Sequence, residues 1–139
     1  MISKHHILRV IVAVSILLII AAIHAFRLGS YVDSDSKILY YSYFSDVTIP
    51  FGIYFLFCLN EIQIKLFRPW LIKLIIVFGF STLSEILQFF DIYFLGETFD
   101  PYDIIAFAIG TGLAVFFDIV IFSNYLPFWK YNKKSLSHR

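Results

Sequence analysis

Charge is what this 139-residue chain has least of. Asp, Glu, Lys and Arg make up 15% of it, against about 25% in soluble domains. So few charges cannot cover a water-facing surface, which excludes an ordinary soluble domain. The 11 basic and 10 acidic residues leave a formal charge of +1, which excludes the basic stripe of a nucleic-acid-binding protein. A lone cysteine, Cys58, permits neither an internal disulfide nor a thiolate zinc site, and it reads as a small buried hydrophobe. The four histidines are scattered at 5, 6, 24 and 138, so a histidine metal cluster is not expected. Glycines are few, and Gly110-Thr111-Gly112 lies within an apolar run, so neither a phosphate-binding loop nor a dinucleotide fingerprint is present. There is no internal repeat and no low-complexity tract.

What the chain has in abundance is apolar surface: 60% hydrophobic and 20% aromatic residues. About 20 apolar residues span the hydrocarbon of a bilayer as a helix. Four runs approach that length, near 7–26, 44–62, 70–90 and 103–122. The first carries a single charge, Arg9, in its opening turn. The second holds Asp46 and Pro50 in its expected opening turns, where proline is tolerated and Ser45 or Asp46 could cap. The third carries Lys73 at one end and Glu85 with Gln88 near the other, and the fourth carries Asp118 near its end. The expectation is an all-α polytopic membrane protein, one domain over 1–139, built as a bundle of four transmembrane helices. A cleaved signal peptide is the alternative for the N-terminus, with Ile23-His24-Ala25 as a weak cleavage site. The run 7–23 exceeds the usual 7 to 15 residue core, so a retained first helix is expected.

Lys and Arg set orientation, because basic segments stay in the cytoplasm. Nine of the eleven fall on one side (Lys4, Arg9, Lys65, Arg68, Lys73, Lys130, Lys133, Lys134, Arg139), and only Arg27 and Lys37 fall on the other. Both termini are therefore expected inside. Tyr40, Tyr41, Tyr43, Tyr93 and Tyr102 mark the outer interface, and Trp70, Tyr125 and Trp129 the inner one. Asp118, Asn60 and Glu61, near the inner surface, read as snorkelling or solvated positions. The basic C-terminal tail reads as an anchor to anionic lipid.

Acidic residues favour the outer side: Asp33, Asp35, Asp46, Asp91, Glu97, Asp100 and Asp103. Glu85 lies about one and a half turns inside the third helix, at a depth where an ionisable group costs about 2 to 3 kcal/mol or more unless it faces protein or water. Ser81, Glu85 and Gln88 share a helical face. Asp103, Ala106, Gly110 and Ala114 share another, whose small residues Ala106, Gly110 and Ala114 admit close approach of a helix, expected to be the third. Asp100-Pro101 has the form of a helix cap followed by proline in the first turn. Glu85, Gln88, Asp100 and Asp103 are thus the candidate ligand-binding residues. They suit a cationic or hydroxyl-bearing head group and, more weakly, a hard divalent cation. In the competing reading Glu85 and Gln88 merely hydrogen-bond between helices and Asp100 is only a cap.

The segments SEILQ (84–88) and GETFDPYDIIAFAIGTGLA (96–114) resemble the VanZ-like family of small bacterial membrane proteins. That family's pattern has a Glu and a Gln on one helix, then an Asp opening the next helix, followed by two glycines. Glu85, Gln88, Asp103 and Gly110 fall on matching positions, while Glu97, Phe107 and Ala114 stand where the family has Arg, Asn and its second Gly. The resemblance implies a multi-pass plasma-membrane protein, linked in some members to glycopeptide (teicoplanin) resistance.

Three functions stay open from sequence. One is an envelope protein binding a membrane lipid or lipid-linked precursor at an outward acidic pocket; another is a carboxylate-based enzyme on such a lipid; the third is a membrane scaffold. The absence of an obvious activated nucleophile disfavours the enzyme. No cofactor and no nucleic-acid partner is expected, and a homo-oligomer is compatible with all three.

Overall fold

The computed structural model describes residues 4–26, 34–61, 63–90, 92 and 99–129. Arg27, Asp33, Asp91, Glu97 and the basic tail lie outside them. The regular elements among the described residues are all helical: α1 (Lys4–Ala25), α2 (Ser34–Asn60), a 3₁₀ turn (Lys65–Phe67), α3 (Trp70–Phe89) and α4 (Pro101–Phe116). The last helix runs on through a π-helical stretch, Phe117–Phe122, into a final turn, Ser123–Tyr125.

Among the described residues, three helices are long and apolar enough to cross a membrane: α1, α3 and the continuous Pro101–Tyr125 segment. That agrees with a membrane protein. α2 has 27 residues, enough length to cross, but its first half, SDSKILYYSYFSD, dilutes its hydropathy. It is nevertheless the central element, packing most extensively on α4 and also on α1 and α3, while α3 packs on α4. Buried Tyr54, Phe55 and Cys58 from α2 meet Ala13 of α1, Val77 of α3, Ala114 of α4 and Trp129. Large apolar side chains such as Leu18, Ile75, Phe89 and Ile105 point outward, the distribution expected of helices whose solvent is lipid.

The boundaries of α1 and α3 fall close to expectation, but α2 does not begin near residue 44. It starts at Ser34, so Pro50 lies well inside it and neither Ser45 nor Asp46 is a cap. Proline removes a donor from the helical ladder. Two residues before it, the Thr48 hydroxyl donates to the Phe44 carbonyl at 2.8 Å. The small face of α4 is also used differently. A Cβ at Gly110 would stand 2.0 Å from the Val47 carbonyl oxygen, so the close backbone approach is to α2 and not to α3. Ala106 and Ala114 on the same face are buried.

Candidate functional site

Among the described residues, two polar clusters lie at opposite ends of the helices. The first gathers the expected candidates. Asp100 caps α4, its carboxylate accepting the Tyr102 N–H at 2.9 Å, with Pro101 in the first turn. This fulfils the expectation from the Asp-Pro pair. The Asp100 backbone N–H donates to Glu85 Oε2 at 3.3 Å, which ties the start of α4 to α3. The Tyr43 hydroxyl of α2 donates to the other Asp100 oxygen at 3.3 Å. Asp103 lies within electrostatic range of Asp46, Glu85 and Asp100, and Asp46 within range of Glu85 and Asp100.

Four carboxylates from three helices and one cap therefore lie near one another. The ion pairs formed between described residues all lie elsewhere. Glu85 is only 4% exposed and Gln88 only 5%. The Gln88 Oε1 atom, one turn beyond Glu85 on the same helix face, is buried without a hydrogen-bond partner, and Thr82 Oγ1, one turn before it, is likewise unpaired. Buried polar atoms are rarely left so.

Beside this cluster, between α2 and α4, lies an apolar groove of about 460 Å³ lined by Tyr43, Val47, Tyr102, Ile105, Ala106 and Ile109. Tyr43 belongs to both features: its ring lines the groove and its hydroxyl reaches Asp100. A polar head and an apolar tail could thus be held side by side. Asp46 was missed as a member of this site because it reads as a helix-opening residue in sequence. Its place beside Glu85, Asp100 and Asp103 follows only once α2 is seen to run on from Ser34 and pack on α4.

The second cluster corrects the sequence reading of the other end. Glu61 and Asp118 do not snorkel into solvent; they are buried, Asp118 at 7% exposure. Lys73, counted as an interfacial charge, is 1% exposed. Its ammonium donates to Asp118 Oδ2 at 2.8 Å, to Cys58 Sγ at 3.2 Å and to Glu61 Oε1. Arg9 reaches across from α1 to Glu61 Oε2 at 2.6 Å. Tyr54 donates to Asp118 Oδ2 at 2.8 Å, and the Trp129 indole to Oδ1 at 2.7 Å. Trp129, expected at the membrane surface, is instead buried with Arg9 stacked 5.0 Å above its ring.

Cys58 is buried as expected, but among polar groups as well as apolar ones. Asn60 is only half-buried and donates to its own helix at the Leu56 carbonyl. Two cations balance two anions, and each carboxylate oxygen has a donor. A buried network completed in this way rigidifies its surroundings. Asp118 is placed by the π-helical turn, whose extra residue alters which side chains face inward. Ser123 donates to the Asp118 carbonyl at 2.9 Å.

Among the described residues, one set of three metal-type donors has its ligand atoms within 4.8 Å of one another: Cys58, Glu61 and Asp118. The Lys73 ammonium bonds to all three. The carboxylates at the opposite end do not converge so tightly, which disfavours a single chelated ion there. No family model matches this chain, and neither curated proteins nor solved structures yield a match.

Proposed function

We propose that this chain is a multi-pass protein of the plasma membrane that binds an amphiphile, a lipid or lipid-linked wall precursor, through an amine-bearing head group held by Asp46, Glu85, Asp100 and Asp103. The convergence of four carboxylates beside a buried, unpaired Gln88 oxygen carries this reading. Such a set attracts a cation rich in N–H donors, and its spread suits a head group of several atoms better than a bare ion. The groove that shares Tyr43 with the cluster supplies an apolar seat for the tail.

All four helices cross the membrane in this proposal, with α2 shielded by the others, and the carboxylate end faces outward. Once Arg9 and Lys73 are set aside as members of ion pairs, the basic residues still divide seven to two in favour of the other end being cytoplasmic. The VanZ-like resemblance at Glu85, Gln88, Asp103 and Gly110 supports the same assignment and adds a role in glycopeptide resistance.

The test is charge removal without change of shape. Glu85→Gln can still accept the Asp100 N–H, and Asp103→Asn keeps its size. Both variants and the double are extracted with their native lipids and compared with wild type by native mass spectrometry, with detergent melting recorded in parallel. Each single variant should melt within a few degrees of wild type yet lose the retained amine lipid, and the double should lose no more than either single, because the groups share one ligand. Teicoplanin susceptibility of the producing cells should move with retention. Undiminished lipid retention by a folded double variant would exclude the site and leave a scaffold.

A further inference from the structure

The cluster at the Asp118 end has a geometry more specific than charge neutrality requires. A primary ammonium has three N–H donors and no acceptor. Lys73 Nζ meets three acceptors, Cys58 Sγ at 3.2 Å, Asp118 Oδ2 at 2.8 Å and Glu61 Oε1, supplied by α2, the residue that follows it and the π-helical extension of α4. It also lies 4.8 Å from the centroid of the Tyr54 ring, within reach of a cation–π attraction. The acceptors are themselves held in place. Tyr54 and Trp129 fix the Asp118 carboxylate, Arg9 fixes the far oxygen of Glu61, and Arg68 Nε binds the Glu61 carbonyl at 3.2 Å.

We propose that Cys58, Glu61 and Asp118, with the face of Tyr54, form a binding site for a primary ammonium, and that Lys73 is its resident, self-supplied ligand. Lys73 stands three residues into α3, on a long flexible stem. The site is accordingly plugged in the native chain, and free amines gain access only when the side chain is removed. A guanidinium does not substitute, since its planar fork cannot aim three donors at one convergent set. A tetraalkylammonium fails as well, because it has the charge but no N–H.

The full-length chain in nanodiscs supplies the test. Lys73→Ala should melt well below wild type, and methylammonium chloride should restore most of that loss saturably, whereas tetramethylammonium chloride at the same ionic strength should not. Wild type should respond to neither. Lys73→Arg should also melt low and stay so in methylammonium. If Lys73→Ala cannot be purified alone, its recovery as monodisperse protein from buffers containing methylammonium, but not tetramethylammonium, is the readout. Equal effects of the two amines, no recovery in either, or a Lys73→Arg protein as stable as wild type would overturn the site. Stabilisation of Lys73→Ala by zinc ion alone would show that the three donors form a metal site instead.

Discussion

Lys73 and Glu85 both lie on α3, each about one turn from its end, and their surroundings treat them in opposite ways. Lys73 is enclosed by opposite charges, whereas Glu85 is surrounded by like ones. Removing a partner from a completed buried pair leaves a charge uncompensated and costs about 3 to 5 kcal/mol, so Glu61→Gln should lower the detergent unfolding midpoint sharply. Trp129→Phe keeps the ring beneath Arg9 but deletes one hydrogen bond to a carboxylate. It should cost about 1.5 to 3 kcal/mol, measurable by chemical unfolding in the same detergent. Glu85 is legible from sequence because a carboxylate in an apolar run demands a partner. Arg9, Glu61, Lys73 and Asp118 are not, since each lies near an expected membrane surface where a lone charge can snorkel. Their pairing depends on segments from the whole chain meeting at one depth.

At the scale of elements, α2 and α4 decide the arrangement. Gly110 lets their backbones touch, and any side chain there forces them apart. Gly110→Ala should therefore destabilise clearly, since the obstructing atom is backbone oxygen. Gly112→Ala, two residues on, meets nothing within 4 Å and should be neutral or stabilising by up to about 1 kcal/mol. Thermal melting of the pair compares the two directly, and equal losses would show that the contact is not critical. The small-residue face of α4 was legible from its spacing, but its partner was not, because small residues show that a helix approaches without saying which. The start of α2 was misplaced for a local reason: Pro50 has the form of a helix-opening residue, and here the helix runs through it. The π-helical turn that sets the direction of Asp118 leaves no mark in the hydrophobic pattern, which is nearly continuous from 104 to 122.

For the whole molecule, the two ends divide the labour. The Asp118 end joins α1, α2, α3, the α4 extension and the turn at Trp129 through a neutral, saturated network. That fixes the helices without offering free valence. The Asp103 end gathers negative charge and unpaired oxygen beside an apolar groove, and this is the end to which the proposed function assigns the ligand. Between them lies a belt of outward apolar side chains. Composition alone made the lipid environment legible, and the run lengths gave the helices. The division between a closed end and an open end needed the tertiary contacts.

The central claim is that the carboxylate end recognises an ammonium group on an amphiphile. It is tested most directly with two lipids that differ only there: phosphatidylethanolamine and its N-acetylated derivative, each offered as the minor component of otherwise identical nanodiscs holding the wild-type chain. Native mass spectrometry should find the amine lipid retained at least about tenfold more than the acetylated one, the equivalent of about 1.4 kcal/mol. That preference should vanish in Glu85→Gln. Equal retention of the two lipids by the wild-type chain would contradict the account.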